Sequence, residues 1–367
     1  MTQRIHFGKY LPAALAMLFA LSACGARAQD WPVPAASPSA SPAPQPILVV
    51  AKPDRNPVGP VTLALLKTDG TEVNHFQLSQ GSEVLAAAGS RIFIKSGDKL
   101  QAVKRDGSIE TLLSQYTGDG IAVNPEGTQW LWSTYTNNGD NVHSQIHLAG
   151  DGIEPRIVED STEPHRVLGP RSWTAQGVFV VHSPMGIGGY IPFMPAFGPV
   201  DRLDPNTWKA TADPRTSACA FSDAAADGTI ACFTTDQTGN SRQLALIRSD
   251  GSKLTIELPS PQFNRSGDAY FDPTASKVTV AGAVGNAPAN EQFTTDLVAK
   301  SDASLNPAPI SGVRPAMGHQ SWLPDGSLVL WRPAGAAGGD PGLYVIDPAG
   351  HQTFIPVSGA PVGYLAS

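Results

Sequence analysis

A short hairpin motif recurs along most of this chain and limits the possible fold more than any other feature. Its clearest copy spans residues 322–331, where two apolar runs are joined by Pro324-Asp325-Gly326. Asp-Gly and related turns between apolar runs are strong signals of β-hairpins. A second turn of this kind recurs at spacings of about 45 residues. Its seven copies are Asp69-Gly70, Asp106-Gly107, Asp151-Gly152, Asp204-Pro205, Asp250-Gly251, Ser301-Asp302 and Asp347-Pro348.

This period predicts the architecture. A repeat of about 45 residues that carries four short strands is typical of one blade of a β-propeller. The 36 glycines and 33 prolines also interrupt the chain too often for long helices. We therefore expect an all-β fold, a seven-bladed β-propeller of four-stranded antiparallel blades, with six or eight blades as alternatives.

Both ends of the chain are expected to share one blade. Six complete blades fit between about residues 83 and 359. The remaining apolar runs predict one strand at the C-terminus and three at the N-terminus, over residues 361–365, 47–51, 61–67 and 72–78. Such a blade closes the ring and removes open sheet edges, which otherwise favour aggregation.

The hairpin sequence carries a family resemblance. Residues 324–331 resemble the Pro-Asp-Gly repeats of WD40-like, TolB-type bacterial propellers, and residues 124–132 resemble them less closely. The other copies are degenerate. The resemblance implies the propeller fold, but a shared fold does not transfer an activity.

The N-terminal residues predict export. Arg4 and Lys9 precede an apolar run over residues 11–21, a pattern typical of a signal peptide and too short to span a membrane. The run ends at Leu21-Ser22-Ala23-Cys24, which is similar to the lipobox of bacterial lipoproteins. That resemblance implies that residues 1–23 are removed and that Cys24 is lipidated. The protein would then face outside the cytoplasm, on the outer membrane if the organism has one. An ordinary secretory signal that contains a cysteine is the alternative.

The segment after Cys24 is predicted to be a tether. Residues 24–46 are rich in Pro, Ala and Ser and have few apolar side chains, so they cannot form a core. The propeller domain would then span residues 47–367. Loss of Arg4 and Lys9 with the signal changes the formal net charge from −7 to −9. An acidic domain of this kind is a poor candidate for binding nucleic acid.

The loops of one face are the predicted binding surface. In a four-stranded meander, the loops after the second and fourth strands share a face, and here they include the long segments 135–142, 183–199, 234–241, 283–292 and 333–341. The tether enters at a second strand, so this face is expected to point away from the membrane. The uncharged segment 183–199 contains Tyr190, Phe193 and Phe197, side chains typical of interfaces. The alternative is that this segment folds over the channel or a neighbouring blade.

Two further sets of residues are candidate sites. Polar residues just before the inner strands could ring the channel mouth and bind a small ligand, or could cap turns and pair between blades. They are Glu83, Asp119, Arg171, Asp268 and His319. Cys219 and Cys232 flank the Asp227-Gly228 turn almost symmetrically, which predicts a disulfide between facing strands, with two buried thiols as the alternative.

Catalytic motifs are scarce. The sequence contains no Gly-x-Ser-x-Gly, His-Glu-x-x-His or Cys-x-x-Cys motif. We therefore expect no catalytic residue, no cofactor and no metal ligand. The leading interpretation is a membrane-anchored, extracytoplasmic binding or scaffold module of the cell envelope. Its partners would be the membrane, through lipid on Cys24, and an envelope protein or other extracytoplasmic ligand. The alternative is a propeller enzyme, a lactonase-like hydrolase or a sugar dehydrogenase, with its site at the channel mouth.

Overall fold

The computed structural model describes the greater part of the chain after residue 44. The described ranges are 45–53, 59–118, 120–185, 198–217, 219–235, 241–258, 265–283, 297–300, 308–309, 320–332 and 340–366. At Asp268 only the backbone is described. The predicted signal peptide and tether lie outside these ranges, and so do Cys24, Asp119, Tyr190, Phe193, Phe197 and His319.

The described residues form β-strands joined mainly by turns. The first sheet contains β1 (Ile47–Pro53), β2 (Val61–Leu66), β3 (Glu72–Gln77), β4 (Ser82–Ala88), β5 (Arg91–Ser96), β6 (Lys99–Lys104), β7 (Ile109–Leu113) and β28 (Ala360–Leu365). The second contains β8 (Ile121–Val123), β9 (Gln129–Asn138), β10 (Asn141–Gly150) and β11 (Ile153–Pro164). The third contains β12 (Arg166–Thr174), β13 (Gly177–Pro184), β14 (Val200–Leu203) and β15 (Ala210–Ala212).

Three more sheets complete the described part of the chain. The fourth contains β16 (Ala220–Ala224), β17 (Ile230–Thr235), β18 (Ser241–Ile247) and β19 (Lys253–Glu257). The fifth contains β20 (Arg265–Phe271), β21 (Lys277–Ala283), β22 (Leu297–Lys300) and β23 (Ala308–Pro309). The sixth contains β24 (Gln320–Trp322), β25 (Leu328–Arg332), β26 (Gly342–Ile346) and β27 (Gln352–Ile355). Among these residues the only helical segment is a 3-10 turn at Pro214–Thr216, and no helix is long and apolar enough to cross a membrane.

The first sheet joins the two ends of the chain. Its order is β3-β2-β1-β28-β4-β5-β6-β7, so it consists of two four-stranded meanders. Strand β28 is antiparallel to β1, and it touches β4 in parallel at a single pair, Gly363 beside Ala87. The predicted pairing of one C-terminal strand with three N-terminal strands is therefore confirmed. The other five sheets are four-stranded antiparallel meanders in chain order, as expected for an all-β fold of this class.

Neighbouring sheets pack face to face in chain order. Apolar clusters join the first sheet to the second, the second to the third, the third to the fourth and the fourth to the fifth, since alternate residues of a strand share a face. Trp322 of the sixth sheet donates its Nε1 to the carbonyl of Tyr270 in the fifth at 3.1 Å. Phe179 of the third sheet stacks on Phe221 of the fourth with ring centroids 5.3 Å apart. In the sixth sheet Val329 packs in one cluster with Leu48 of β1, so the last sheet returns to the first. This ring of sheets is the arrangement of a β-propeller.

One predicted loop is a regular hairpin. The sequence suggested a long connection over residues 135–142, but β9 extends to Asn138 and β10 begins at Asn141. Only Gly139 and Asp140 form the turn, and Gly139 has a φ of +76°. Glycine adopts this backbone conformation at low cost, which allows a two-residue connection. The polar residues beside it continue the strand ladder, so this prediction was wrong.

Candidate functional site

Of the polar residues predicted at the channel mouth, the three that the structure describes, Glu83, Arg171 and Asp268, lie within the first strands of their meanders and not before them. Glu83 is the second residue of β4 and is exposed opposite Lys95 of β5. Arg171 lies in β12, where the register shifts between Pro170 and Ser172, and Asp268 lies in β20. A bulge adds an unpaired residue to an inner strand. Arg171 and Asp268 lie at bulges that the turn pattern does not reveal, whereas Glu83 is regularly paired. The ligand-binding role of these residues stays a prediction.

A buried hydrogen-bond network joins three inner strands. The Ser222 hydroxyl donates to the carbonyl of Ala269 at 3.1 Å and accepts from its N–H at 2.7 Å. The next residue, Asp223, accepts from the Ser172 hydroxyl at 2.7 Å and from the N–H of Phe271 at 3.1 Å. Strands β12, β16 and β20 are thereby connected through two side chains of β16. These two residues could not be predicted from the sequence, because consecutive residues of a regular strand point to opposite faces. The bulge in β16 changes this alternation, so that Ser222 and Asp223 both reach neighbouring sheets.

Burial governs the ionisation of Asp223. It raises the pKa of this carboxyl above its ordinary value, although the hydrogen bonds from Ser172 and Phe271 and the charge of Arg171 act in the opposite direction. Arg171 also donates its Nε to the carbonyl of Ser222 at 3.4 Å. The carboxyl is therefore a polar support of the inner strands that holds a proton more tightly in the folded chain than in the unfolded one.

Asp223→Asn is expected to change how stability depends on pH. Because the folded pKa is raised, the folded state binds the proton more tightly than the unfolded state. The contribution of Asp223 to the free energy of unfolding is full below its unfolded pKa of about 3.9 and is lost as pH rises through the folded pKa. The stability of the native chain minus that of Asp223→Asn should therefore fall as pH increases. Urea denaturation at a series of pH values measures this difference.

Asp106→Asn is the matched control for this experiment. Hydrogen bonds from Ser108 lower the pKa of the exposed Asp106. The contribution of Asp106 to the free energy of unfolding is therefore present above its unfolded pKa and is lost as pH falls through its folded pKa. The stability of the native chain minus that of Asp106→Asn should therefore rise as pH increases. If the free energy of unfolding depends on pH in the same way for the native chain and Asp223→Asn, the pKa of Asp223 is not raised in the folded state.

Cys219 and Cys232 form the predicted disulfide, with Cα atoms 5.4 Å apart. The sequence predicted that the two cysteines face each other directly. In the structure they do not, because the bulge in β16 places Phe221 opposite Cys232. The bond instead joins diagonal positions, from the residue before β16 to the centre of β17. Cys232 is fully buried in the core between the third and fourth sheets. A loop of this size stabilises a fold by about 3 kcal/mol in the chain-entropy model.

A second polar cluster joins the second and third sheets around His182, a buried histidine of β13. Its Nδ1 contacts Oε1 of Glu163 in β11, and its Nε2 lies 2.9 Å from Oδ2 of Asp201 in β14. Glu159 lies four residues before Glu163 in β11, so the two side chains share a face of that strand. The His182 side chain is only 9% exposed. The cluster is therefore largely withdrawn from water.

The electrostatics of this cluster are unusual for a sheet surface. The pKa of Glu159 is raised to about 8, mainly by burial and in addition by the hydrogen bond with Asp201 and the negative charges of Asp201 and Glu163. Within the described part of the chain, Glu159 Oε2 is buried and has no hydrogen-bond partner. One ligand atom each of Glu159, His182 and Asp201 lie within 4.8 Å of one another. This arrangement of one imidazole and two carboxylates can bind a cation.

Sequence reasoning did not single out any of these four residues. They are spread over three strands of two sheets, and only the strand registers bring them together. The available signals were weak. His182 follows the apolar run Val178–Val181, and two glutamates share a face of β11. Neither signal identifies a partner without the three-dimensional structure.

Comparisons with known proteins identify the fold. No known family profile matches the sequence, and no curated protein is significantly similar. A putative 6-phosphogluconolactonase from Bacteroides fragilis is 12% identical with a TM-score of 0.52, over 89% of this chain and 99% of its own. The oligogalacturonate lyase of Vibrio parahaemolyticus is 12% identical with a TM-score of 0.54, over 83% and 88%. TolB from Acinetobacter baumannii is 17% identical with a TM-score of 0.43, over 71% and 61%. Together with the ring of sheets, the similarities to the lactonase and the lyase structures, both with TM-scores above 0.5, show that the chain has a β-propeller fold.

Proposed function

We propose that this protein is a lipid-anchored, extracytoplasmic β-propeller that acts as a binding or scaffold module of the cell envelope. One observation carries the proposal. Strand β1 begins at Ile47 and is already an internal strand of its sheet, between β28 and β2. The propeller therefore starts immediately after the Pro/Ala/Ser-rich segment 24–46, which follows the lipobox-like Cys24. A stretch of this length in polyproline conformation would reach about 70 Å.

We propose seven blades. Five separate four-stranded sheets and the two meanders of the eight-stranded sheet give seven units of the same kind. The two meanders share only one parallel residue pair, whereas strands within a meander pair over several residues. This difference supports counting them as neighbouring blades, one of which is completed by both ends of the chain.

The strand registers support a binding surface opposite the point where the chain enters. Leu48 pairs with Leu66, so β1 begins beside the Asp69-Gly70 turn. The ladder of β13 and β14 extends to the other end of the sheet, where Val181 pairs with Val200, and residues 186–197 lie between these two strands in the sequence. Tyr190, Phe193 and Phe197 belong to this connection. We propose that they contact an envelope partner on the face distant from the membrane.

Fractionation and pull-down of three full-length chains test this proposal. The native chain should stay with membranes and co-purify an envelope protein after cross-linking. Cys24→Ser should move to the soluble exported fraction, because the lipid is lost. A variant with Tyr190, Phe193 and Phe197 all changed to Ser should remain on membranes but lose the partner, since aromatic side chains contribute much of the binding energy at interfaces.

Phe354→Ser is the control for the aromatic variant. Phe354 is 38% exposed on β27, an outer strand, and lies outside the proposed surface. It should retain the partner. If the triple variant captures the same proteins as the native chain, the binding surface is wrong. If Cys24→Ser stays on membranes, the lipid anchor is wrong.

One observation favours the enzyme alternative. A cavity of about 380 Å³ is lined by Trp173, Asp223, Phe271 and Asp272, and it contains a carboxyl with a raised pKa. A raised carboxyl pKa is a common property of general acids. Hydrolysis of sugar lactones by the purified protein, abolished by Asp223→Asn, would replace the binding proposal with a lactonase-like one.

A further inference from the structure

We propose that Glu159, His182 and Asp201 bind a divalent metal ion between the second and third sheets, with Glu163 as the positioning residue that orients the imidazole. This inference is independent of the proposed envelope function, because it rests on four side chains in β11, β13 and β14. It also differs from the expectation that the chain contains no metal ligand.

The spacing of the donor atoms fits an ion. Nε2 of His182 and Oδ2 of Asp201 are 2.9 Å apart, and one ligand atom from each of Glu159, His182 and Asp201 lies within 4.8 Å of the other two. Around a tetrahedral ion with bonds of about 2.1 Å, donor atoms are separated by roughly 3.4 Å. Small rotations of the three side chains are therefore enough to admit the ion.

The orientation of His182 is that of a metal ligand. Metal-binding histidines usually donate their second ring N–H to a carboxylate or carbonyl, which fixes the ring and the nitrogen that binds the metal. Here Nδ1 contacts Glu163, and Glu163 is itself held by the Ser161 hydroxyl, which donates to Oε1 at 3.0 Å. Nε2 then points toward Asp201 and Glu159, where the ion would lie.

The cluster has more hydrogen-bond acceptors than donors. Three carboxylates surround one imidazole, and Glu159 Oε2 has no hydrogen-bond partner within the described residues although it is buried. A buried polar atom without a partner carries a substantial desolvation cost, and a buried carboxylate requires a counter-charge. A divalent cation would coordinate the free oxygen of Glu159.

The other histidine–carboxylate pairs near the protein surface differ from this cluster. His143 contacts Asp160, His75 contacts Glu72 and His351 contacts Asp347, and these three histidine side chains are 37%, 69% and 83% exposed. Each of these histidines contacts one carboxylate in the described part of the chain. His182 alone among these four combines burial with carboxylates at both ring nitrogens.

The donor set indicates the class of metal. One imidazole nitrogen and two carboxylate oxygens suit Zn²⁺ or Mn²⁺, whereas Ca²⁺ prefers oxygen ligands alone and soft ions prefer sulfur. Three protein ligands also leave a position for water. Because the ligands come from β11 on one side and β13 and β14 on the other, the ion would fasten two neighbouring sheets together at the strands from which residues 186–197 continue.

Metal titration of the full mature chain tests the proposal. After removal of metal with EDTA and dialysis, Zn²⁺ binding is measured by calorimetry, and Co²⁺ is added as a visible-absorption probe of coordination. We expect one site that is lost in His182→Gln, with at least a 100-fold decrease in affinity. Glu163→Gln should weaken binding by about 10-fold, as is typical for the carboxylate partners of metal-binding histidines. Zn²⁺ should raise Tm for the native chain but not for His182→Gln.

His143→Gln is the matched control and should bind as the native chain does, because His143 is an exposed histidine of β10 beside the same strand β11. If His182→Gln does not fold, Glu159→Gln provides a second variant of nearly equal shape and should weaken binding at least 10-fold. Failure of the native chain to bind either ion overturns the proposal. Equal affinity of the native chain and the folded His182 or Glu159 variant overturns it as well, since the ion would then lie elsewhere.

Discussion

Deletion of residues 360–367 is expected to leave a chain that does not fold into a stable monomer. These residues include β28, which lies between β1 and β4 in the eight-stranded sheet. Leu365 is fully buried in a cluster with Val49, Leu63 and Ile92. Burial of such a side chain contributes about 2 to 3 kcal/mol, and loss of the strand also removes its ladder with β1 and exposes two sheet edges. Gel filtration and thermal melting should show aggregation and no cooperative transition.

A single substitution tests how closely β28 packs against β4. Gly363 has a φ of +137°, and a Cβ added there would lie 2.5 Å from the carbonyl oxygen of Ala87. Gly363→Ala should therefore combine backbone strain with a clash against the neighbouring strand and lower the free energy of unfolding by about 3 kcal/mol.

Gly350→Ala is the control, in which only the backbone strain applies, because Gly350 has a φ of +89° and nothing lies within 4 Å of the added Cβ. That control should lose about 1 kcal/mol. Equal losses would mean that β28 and β4 can move apart to relieve the clash and that their close approach is not rigid.

Phe221→Ala is expected to lower the free energy of unfolding by about 4 kcal/mol. Phe221 is fully buried and stacks on Phe179, in the same core as Val181, Ile230 and Cys232. This core lies between the third and fourth sheets, so its loss leaves a cavity that two rigid sheets cannot easily close. Chemical denaturation with the disulfide intact measures the change.

Phe354→Ala is the control for the core substitution. Phe354 is 38% exposed on β27, although its ring packs on Tyr344 with centroids 5.0 Å apart. Its truncation should cost about 1 kcal/mol, since most surface substitutions have small effects. A loss comparable to that of Phe221→Ala would show that packing between the sheets is not the main source of stability.

Much of the fold could be predicted from the sequence, because each β-hairpin depends on residues that are close together in the chain. Each Asp-Gly turn fixes a hairpin by backbone conformation alone, and the period of these turns then determines strand number and order. The end strands were predicted over 47–51 and 361–365 and lie at Ile47–Pro53 and Ala360–Leu365. Errors arose where bulges or strand extensions change the register. The hairpin at residues 135–142 and the positions of Arg171 and Asp268 are examples.

The His182 cluster could not be predicted for a related reason. Strand β11 extends to Pro164, and β12 begins at Arg166 after the single residue His165, whose φ is +53°. This tight connection brings Glu159 and Glu163 against β13 and β14. Nothing in the spacing of 159, 163, 182 and 201 encodes that packing, because it depends on strand length and on the register between two sheets. Local motifs therefore predict the scaffold, whereas contacts between sheets define the site.

The central position of β1 has a mechanical consequence. Strand β1 pairs along six residues with β2 and along five with β28. Tension that is applied through the chain before Ile47 along the axis of β1 would load both ladders in shear. The backbone hydrogen bonds on the two sides must then slip together, whereas an edge strand pulled sideways would release them one by one. The propeller can thus transmit a pulling force from its N-terminal connection to the whole sheet without first losing that strand.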